Sequence, residues 1–118
     1  MPVNRASNLP KDNLNPQVAR KLFINKELGG ESLTVGEATI APGGSIPLHI
    51  HPGHEEGILI TEGTLEGRLG NEKSTLKAGD VIVAPKGIKH DLVNKSQKPA
   101  KIVFIYPTLN VTREWVKE

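Results

Sequence analysis

Short runs of apolar and β-branched residues recur along this chain, and turn-forming residues separate them. Side chains alternate between the two faces of a strand, and runs of this kind bounded by glycine, proline or asparagine are typical of β-strands. No long apolar pattern with the period of a helix is present. The predicted strands are 21–24, 33–40, 46–51, 57–61, 64–69, 74–76, 81–84, 89–93 and 101–106. Many short strands at this spacing predict an all-β sandwich or barrel.

The first residues of the chain lack this pattern. Residues 1–17 are rich in asparagine and proline and carry no periodic apolar positions. Proline fits the first position of a helix, so a short helix could begin after Asn15. The segment is otherwise predicted to be an irregular N-terminal arm over residues 1–20.

The last residues also fall outside the predicted strands. Residues 107–118 are predicted as a short C-terminal tail, in which 112–118 could form a helical turn with Trp115 and Val116 available for packing. A chain of 118 residues fits one domain and leaves little room for a second. We therefore expect a single barrel domain over residues 1–118.

The composition limits the metal chemistry that the chain can perform. The sequence contains no cysteine, which excludes disulfides and thiolate metal sites. The remaining strong metal ligands are imidazole and carboxylate groups.

The charge and hydropathy of the chain argue against two classes of partner. The net charge is +2 and the lysines are scattered over predicted turns and strands, unlike the clustered charge of a nucleic-acid groove. No stretch reaches membrane-spanning length, and the first residues include no apolar signal segment. We therefore expect a cytoplasmic protein that binds neither nucleic acid nor membranes.

Three of the four histidines lie in one short stretch, PLHIHPGHEE at 47–56. His49 and His51 are two residues apart on a predicted strand, so their imidazoles point to the same face. A Pro-Gly turn then reverses the chain, and Glu56 opens the next strand. The carboxylate can therefore approach the two imidazoles, whereas His90 arrives from a distant strand.

These histidines and their flanking glycines resemble the two sequence motifs of the cupin superfamily. The first motif fits Gly43-x5-His49-x-His51-x4-Glu56-x6-Gly63. The second motif fits Gly79-x5-Pro85-x-Gly87-x2-His90-x3-Asn94. Only residues 64–78 separate the motifs, a spacing that is similar to that of compact microbial single-domain cupins.

The resemblance implies a double-stranded β-helix, or jelly-roll barrel, of the cupin type. It also implies one divalent transition metal ion, held by His49, His51, Glu56 and His90. Three imidazoles and one carboxylate suit Fe, Mn, Ni, Zn, Cu or Co. Glu55 is the competing carboxylate, but only Glu56 has the motif's spacing to the following glycine.

Strand parity predicts an aliphatic pocket around the metal. Alternation from Glu56 directs Ile58 and Ile60 inward, and alternation from His90 directs Leu92 inward. A plain hydrophobic core is the alternative interpretation of these residues.

One strand leaves its orientation open. Strand 101–106 turns either Val103 and Ile105 or Phe104 and Tyr106 towards the pocket. The sequence alone does not decide between the two faces.

Few side chains are available for acid–base catalysis, which needs a positioned titrating group. The candidate catalytic residues are Tyr106 and His54, followed by Glu37 and Arg68. His54 could equally be a solvated loop residue, and Arg68 could pair with a surface glutamate.

If the chain is an enzyme, the metal must therefore carry the chemistry. The resemblance implies a small oxygen-containing substrate and a metal-dependent oxidoreductase of dioxygenase type. Two alternatives stay open: a non-catalytic protein that binds or senses a small molecule, and a metal-dependent sugar isomerase or lyase.

Assembly is predicted from the open edges of the sheets. Exposed strand edges need covering, and the arm over residues 1–20 could supply a strand. Since small cupins are often dimers, the resemblance implies a homodimer formed by arm exchange or by sheet extension.

Overall fold

Most of the described residues lie in strands whose side chains alternate between a buried and a more exposed face. The computed structural model describes residues 3–118. Its strands are β1 Lys11–Asn15, β2 Val18–Ile24, β3 Thr34–Ile40, β4 Ser45–Ile50, β5 Glu56–Glu62, β6 Thr64–Leu69, β7 Glu72–Lys77, β8 Val81–Ala84, β9 His90–Val93, β10 Ala100–Tyr106 and β11 Glu114–Trp115. A turn of 3-10 helix, Ala6–Asn8, precedes them. No helix in this part of the chain is long and apolar enough to cross a membrane.

The strands form two antiparallel sheets. One sheet has the order β1-β2-β3-β10-β5-β8 and the other has the order β11-β4-β9-β6-β7. Strands that follow each other in sequence, such as β5 and β6, therefore often lie in different sheets. This arrangement is a jelly roll, which confirms the predicted fold class.

The hydrophobic core joins the two sheets. Ile40, Ile60 and Ile102 of the first sheet and Leu65 and Leu92 of the second are buried in one apolar cluster. Burying an aliphatic side chain of this size contributes about 1.5–3 kcal/mol. Ile60 and Leu92 face inward, as strand parity predicts.

Gly63 marks the corner at which the chain leaves β5 for β6 and crosses from one sheet to the other. Its φ is +81°, a conformation that residues with a side chain rarely adopt. A Cβ atom at this position would lie 2.8 Å from the carbonyl oxygen of Pro99. Glycine therefore allows the close approach of the two chain segments at this corner.

The N-terminal segment 1–20 is more regular than predicted. Residues 1 and 2 lie outside the described residues, but β1 and β2 form an antiparallel hairpin. Pro16 lies in the turn of this hairpin, and no helix begins after Asn15. The polar run of β1 becomes a strand because β2 pairs with it on one side and with β3 on the other, a long-range effect that the local pattern does not contain.

The predicted helical turn over 112–118 is wrong, because this segment is extended. Its strand β11 pairs with β4, and Trp115 lies opposite His49. Short isolated helices are marginally stable, whereas an extended segment can add to a sheet edge. The tail 107–118 therefore lies against the strand that carries His49.

Candidate metal centre

Four side chains from separate elements converge in the interior of the barrel. His49 lies on β4 and His51 follows its last residue, while Glu56 opens β5 and His90 opens β9. His49 and His90 are register partners in the β4–β9 ladder. All four residues are at most 4% exposed. One ligand atom from each lies within 4.8 Å of all the others, so the group could hold one metal ion.

Backbone carbonyls fix the orientation of the three imidazoles. In each ring Nδ1 donates a hydrogen bond to a carbonyl oxygen, which leaves Nε2 with its lone pair. The acceptors are Pro47 O for His49 at 2.7 Å, Thr112 O for His51 at 2.6 Å and Ile88 O for His90 at 3.0 Å. Such bonds from the second ring nitrogen are typical of metal-binding histidines and set their tautomer.

When its three imidazoles are neutral, the centre of this group is an array of acceptors that lacks a positive charge. The Oε1 atom of Glu56 lies 3.1 Å from Nε2 of His51 and 2.9 Å from Nε2 of His90. A neutral imidazole has one N–H, and Nδ1 already uses it, so Nε2 and the carboxylate oxygen face each other as acceptors. A cation satisfies both, and this nitrogen and oxygen donor set suits a transition metal. The residues therefore fit the implied metal ion.

The ionisation of the cluster also favours a cation. Burial opposes ionisation of Glu56, but the hydrogen bonds that His51 and His90 donate when their rings are protonated outweigh it and lower the pKa of the carboxyl to about 2. Burial lowers the pKa of His49 to about 4. Burial acts on His90 in the same direction, but its hydrogen bond to Glu56 raises the pKa of His90 overall. At neutral pH the cluster therefore offers an ionised carboxylate beside a neutral imidazole.

The other two titratable side chains of the 47–56 stretch lie outside the cluster. Glu55 is exposed, whereas His54 is buried and its ring centroid stacks 5.0 Å from that of His51. The Nδ1 atom of His54 donates to the carbonyl oxygen of Glu55 at 2.9 Å, and its Nε2 atom accepts the Thr112 N–H at 3.1 Å. Both nitrogens of His54 are thus engaged by the backbone, and the residue supports the C-terminal tail.

A largely apolar chamber adjoins the cluster. Strand β10 turns Phe104 and Tyr106 inward and Val103 and Ile105 outward, which settles the orientation that the sequence leaves open. The remaining aliphatic side chains of the chamber are Leu14, Ala38, Ile46, Ile58, Leu92 and Ile102.

Tyr106 is the catalytic candidate that lines this chamber. Its ring centroid lies 5.0 Å from that of His51. Burial, helped by the nearby charge of Glu56, raises the pKa of the phenol well above its ordinary value, although Arg113 acts in the opposite direction. The phenol therefore stays protonated at neutral pH, where it can donate a hydrogen bond but is a poor base.

The two remaining acid–base candidates lie away from the chamber. Glu37 is on the more exposed face of β3. Arg68 donates to Glu118 at 2.6 Å and to the carbonyl oxygen of Gly70 at 3.0 Å. Arg68 therefore helps to fasten the end of the chain.

Two arginines of the chamber, Arg20 and Arg113, are missing from the sequence-based candidates. Arg20 belongs to the segment that lacks a clear strand pattern, and Arg113 belongs to the predicted helical turn. The available signal is the alternation of Arg113 and Trp115, which a strand places on one face. A helical interpretation of the tail hides this signal.

Comparison with known sequences finds a family match that covers the strands that carry the cluster. Residues 36–106 match the family model described as the Cupin domain. This range is more than half of the chain and contains all four clustered side chains. Auxin-binding protein ABP19b of Prunus persica is 36% identical over 78 residues, which cover 62% of this chain and 37% of that protein. The chain thus spans well under two thirds of the length of this relative.

Solved structures share the architecture. The polyketide cyclase RemF from Streptomyces resistomycificus aligns with a TM-score of 0.85 over 100% of this chain and 87% of its own, at 18% identity. The oxalate decarboxylase of Lactobacillus farciminis, in its formate complex, aligns with a TM-score of 0.83 over 93% of this chain and 34% of its own, at 20% identity. Such distant likenesses show the fold, and the family model shows more: this chain belongs to the cupin family.

Proposed function

We propose that this protein is a metal-dependent enzyme that acts on a small oxygen-containing molecule. The observation that carries the proposal is the convergence of three Nε2 atoms and one ionised carboxylate, with all Nδ1 atoms committed to carbonyls. The ion would be Fe, Mn, Ni, Zn, Cu or Co, held by His49, His51, Glu56 and His90. When bound, such an ion supplies Lewis-acid polarisation of a substrate oxygen and, where it is redox-active, electron transfer.

The reaction we propose is an oxidation of dioxygenase type. Of the four acid–base candidates in the sequence, Tyr106 alone lines the chamber, and its raised pKa makes it a donor rather than a base. The apolar walls exclude water, which strengthens the few polar contacts that a substrate makes. A sugar isomerase or lyase would need a base in the chamber. Apart from the cluster, the lining offers only the carboxyl of Asp91, which also lies beside Arg68 and Lys73 on the outer face of its strand, so these surroundings favour a base-catalysed reaction less.

Oxygen uptake tests this assignment. Protein loaded with Fe(II) is mixed without oxygen with a panel of catechols and enediols, and oxygen is then admitted. We expect one substrate to be consumed with stoichiometric oxygen uptake, and we expect His49→Ala protein under the same conditions to show none. Turnover that proceeds without oxygen would contradict the dioxygenase assignment and favour a lyase or isomerase.

The second candidate is a metal-containing protein that binds or senses a small molecule without catalysis. The commitment of both His54 nitrogens to the backbone favours it, because this removes one acid–base group from the site. Tight stoichiometric binding of a panel member, with no turnover, would select this candidate.

We also propose a homodimer formed by sheet extension through β8, the last strand of its sheet. Val81 and Val83 on this strand are 65% and 54% exposed. An unpaired strand edge with exposed apolar residues needs covering. A second copy of the same strand is a self-complementary cover, because a two-fold axis pairs it with itself in antiparallel orientation.

Light scattering after size exclusion tests the dimer. We expect a mass of about twice the 12.8 kDa of one chain, and we expect Val83→Glu to yield monomers because it buries a charge at the contact. Val3→Glu, at a residue that is 55% exposed outside the strands, is the matched control and should stay dimeric. A monomeric wild-type protein would contradict the proposal.

The cytoplasmic location stays a prediction.

A further inference from the structure

Thr112 fastens the C-terminal tail beside the histidines of the 47–56 stretch. The carbonyl oxygen of Thr112 accepts from His51 Nδ1 at 2.6 Å, and its N–H donates to His54 Nε2 at 3.1 Å. Its hydroxyl oxygen accepts from the N–H of Gly53 at 3.1 Å. The N–H, the carbonyl oxygen and the hydroxyl oxygen of Thr112 are therefore all used to hold the tail beside the cluster.

The residues after position 113 are fixed as well. Trp115 pairs with His49 in the β4–β11 ladder, and the N–H of Val116 donates to the carbonyl oxygen of Leu48 at 3.0 Å. Glu118 forms ion pairs with Arg68 and Lys89. Arg113 thus lies between two anchored points, so the backbone that carries it has little freedom to move.

The guanidinium of Arg113 has unused hydrogen-bonding capacity. Its Nε atom is buried without a hydrogen-bond partner, and Arg113 has no ion pair with an acidic residue within 3–118. Its guanidinium carbon lies 5.5 Å from the centroid of the Trp115 ring. A buried donor without an acceptor is destabilising, so a bound acceptor would relieve a real penalty. Arg20 differs, because it is paired with both carboxylate oxygens of Asp12 at 2.8 and 2.9 Å.

Arg113 lines two adjoining spaces. It lines the apolar chamber and also the wider, more open cleft beside it, together with Arg20, Phe104 and Tyr106. Tyr106 lines the chamber together with Glu56 and Arg113. His49, Glu56 and His90 of the cluster and Arg113 line one chamber, so a ligand in it lies close to both the cluster and the arginine.

We infer that Arg113 binds the carboxylate of the substrate, and that the substrate is a small 2-hydroxy or 2-oxo carboxylate. This inference rests on the proposed function, because it places the hydroxyl or oxo oxygen of the ligand on the side of the chamber where the histidines would hold the metal ion. Guanidinium matches a carboxylate by two parallel hydrogen bonds. The Tyr106 hydroxyl can donate to the ligand between its two ends.

Calorimetric binding of lactate and its neutral analogue lactamide to the metal-loaded protein tests the inference. We expect the wild-type protein to bind lactate more tightly, and we expect Arg113→Gln to weaken lactate about 10- to 100-fold and leave lactamide unchanged. Arg113→Lys, which keeps the charge but loses the planar fork, should give an intermediate affinity. Arg5→Gln makes the same charge change at an exposed residue and should bind lactate like the wild type.

Metal content and thermal unfolding of each variant exclude loss of the site or of the fold as the cause. Lactate binding that is the same in wild-type and Arg113→Gln protein overturns the inference, as does equal or undetectable wild-type binding of lactate and lactamide. The assay is independent of oxygen uptake. If lactate binding depends on Arg113 but no substrate consumes oxygen, the carboxylate subsite stands and the proposed oxidation fails.

Discussion

Glu56→Gln should weaken the binding of divalent transition metals by more than about 100-fold. Loss of a residue that only hydrogen-bonds to a metal ligand already lowers metal affinity by about 10- to 100-fold. Glutamine keeps the shape of the side chain but removes the negative charge that faces Nε2 of His51 and His90. The low pKa of Glu56, about 2, means that this charge is present at neutral pH. Competition with a chromophoric chelator, using Mn²⁺ and Zn²⁺, measures the two affinities.

Glu55→Gln is the matched control. It makes the same charge change one residue away, at a side chain that is exposed. We expect an affinity within about twofold of the wild type, because exposed charges interact weakly across water. Equal losses in the two variants would show a general charge effect and would remove Glu56 from the set of ligands.

Asn94→Ala should lower the free energy of unfolding by about 3–5 kcal/mol, a large fraction of the stability of a domain this size. Asn94 is fully buried, and its amide group donates to the carbonyl oxygens of Ile40 at 2.9 Å and Lys98 at 2.8 Å. Its side-chain oxygen accepts from the N–H of Ser96 at 3.0 Å. Alanine leaves these groups without partners and opens a cavity where β3, β9 and the segment before β10 meet.

Urea unfolding of the metal-free protein measures this loss. Asn110→Ala removes the same side chain at an exposed position in the tail and should change the stability by no more than about 0.5 kcal/mol. A loss of less than about 1 kcal/mol for Asn94→Ala would mean that the segments around β9 do not depend on this amide.

The predictable part of the site follows from local rules. His49 and His51 share a strand face because side chains alternate, and the motif spacing distinguishes Glu56 from Glu55. His90 lies opposite His49 in the β4–β9 ladder, which no local pattern indicates. Its place among the proposed ligands comes from the resemblance to the cupin motifs.

The parts that sequence reasoning missed depend on long-range pairing. Strand β1 has a polar sequence and exists because β2 pairs with it, and β11 exists because the edge of β4 accepts it. Periodicity gives strand 101–106 two faces, but only its neighbours β3 and β5 decide that Phe104 and Tyr106 point inward. Arg113 enters the chamber as a consequence of the same tail pairing.

Anomalous X-ray diffraction from crystals soaked with Mn²⁺ or Zn²⁺ tests the central claim most directly. We expect one strong peak per chain, within bonding distance of the Nε2 atoms of His49, His51 and His90 and of a carboxylate oxygen of Glu56. A map without a peak at that position after soaking with each ion, or with its strongest peak at other side chains, would contradict it.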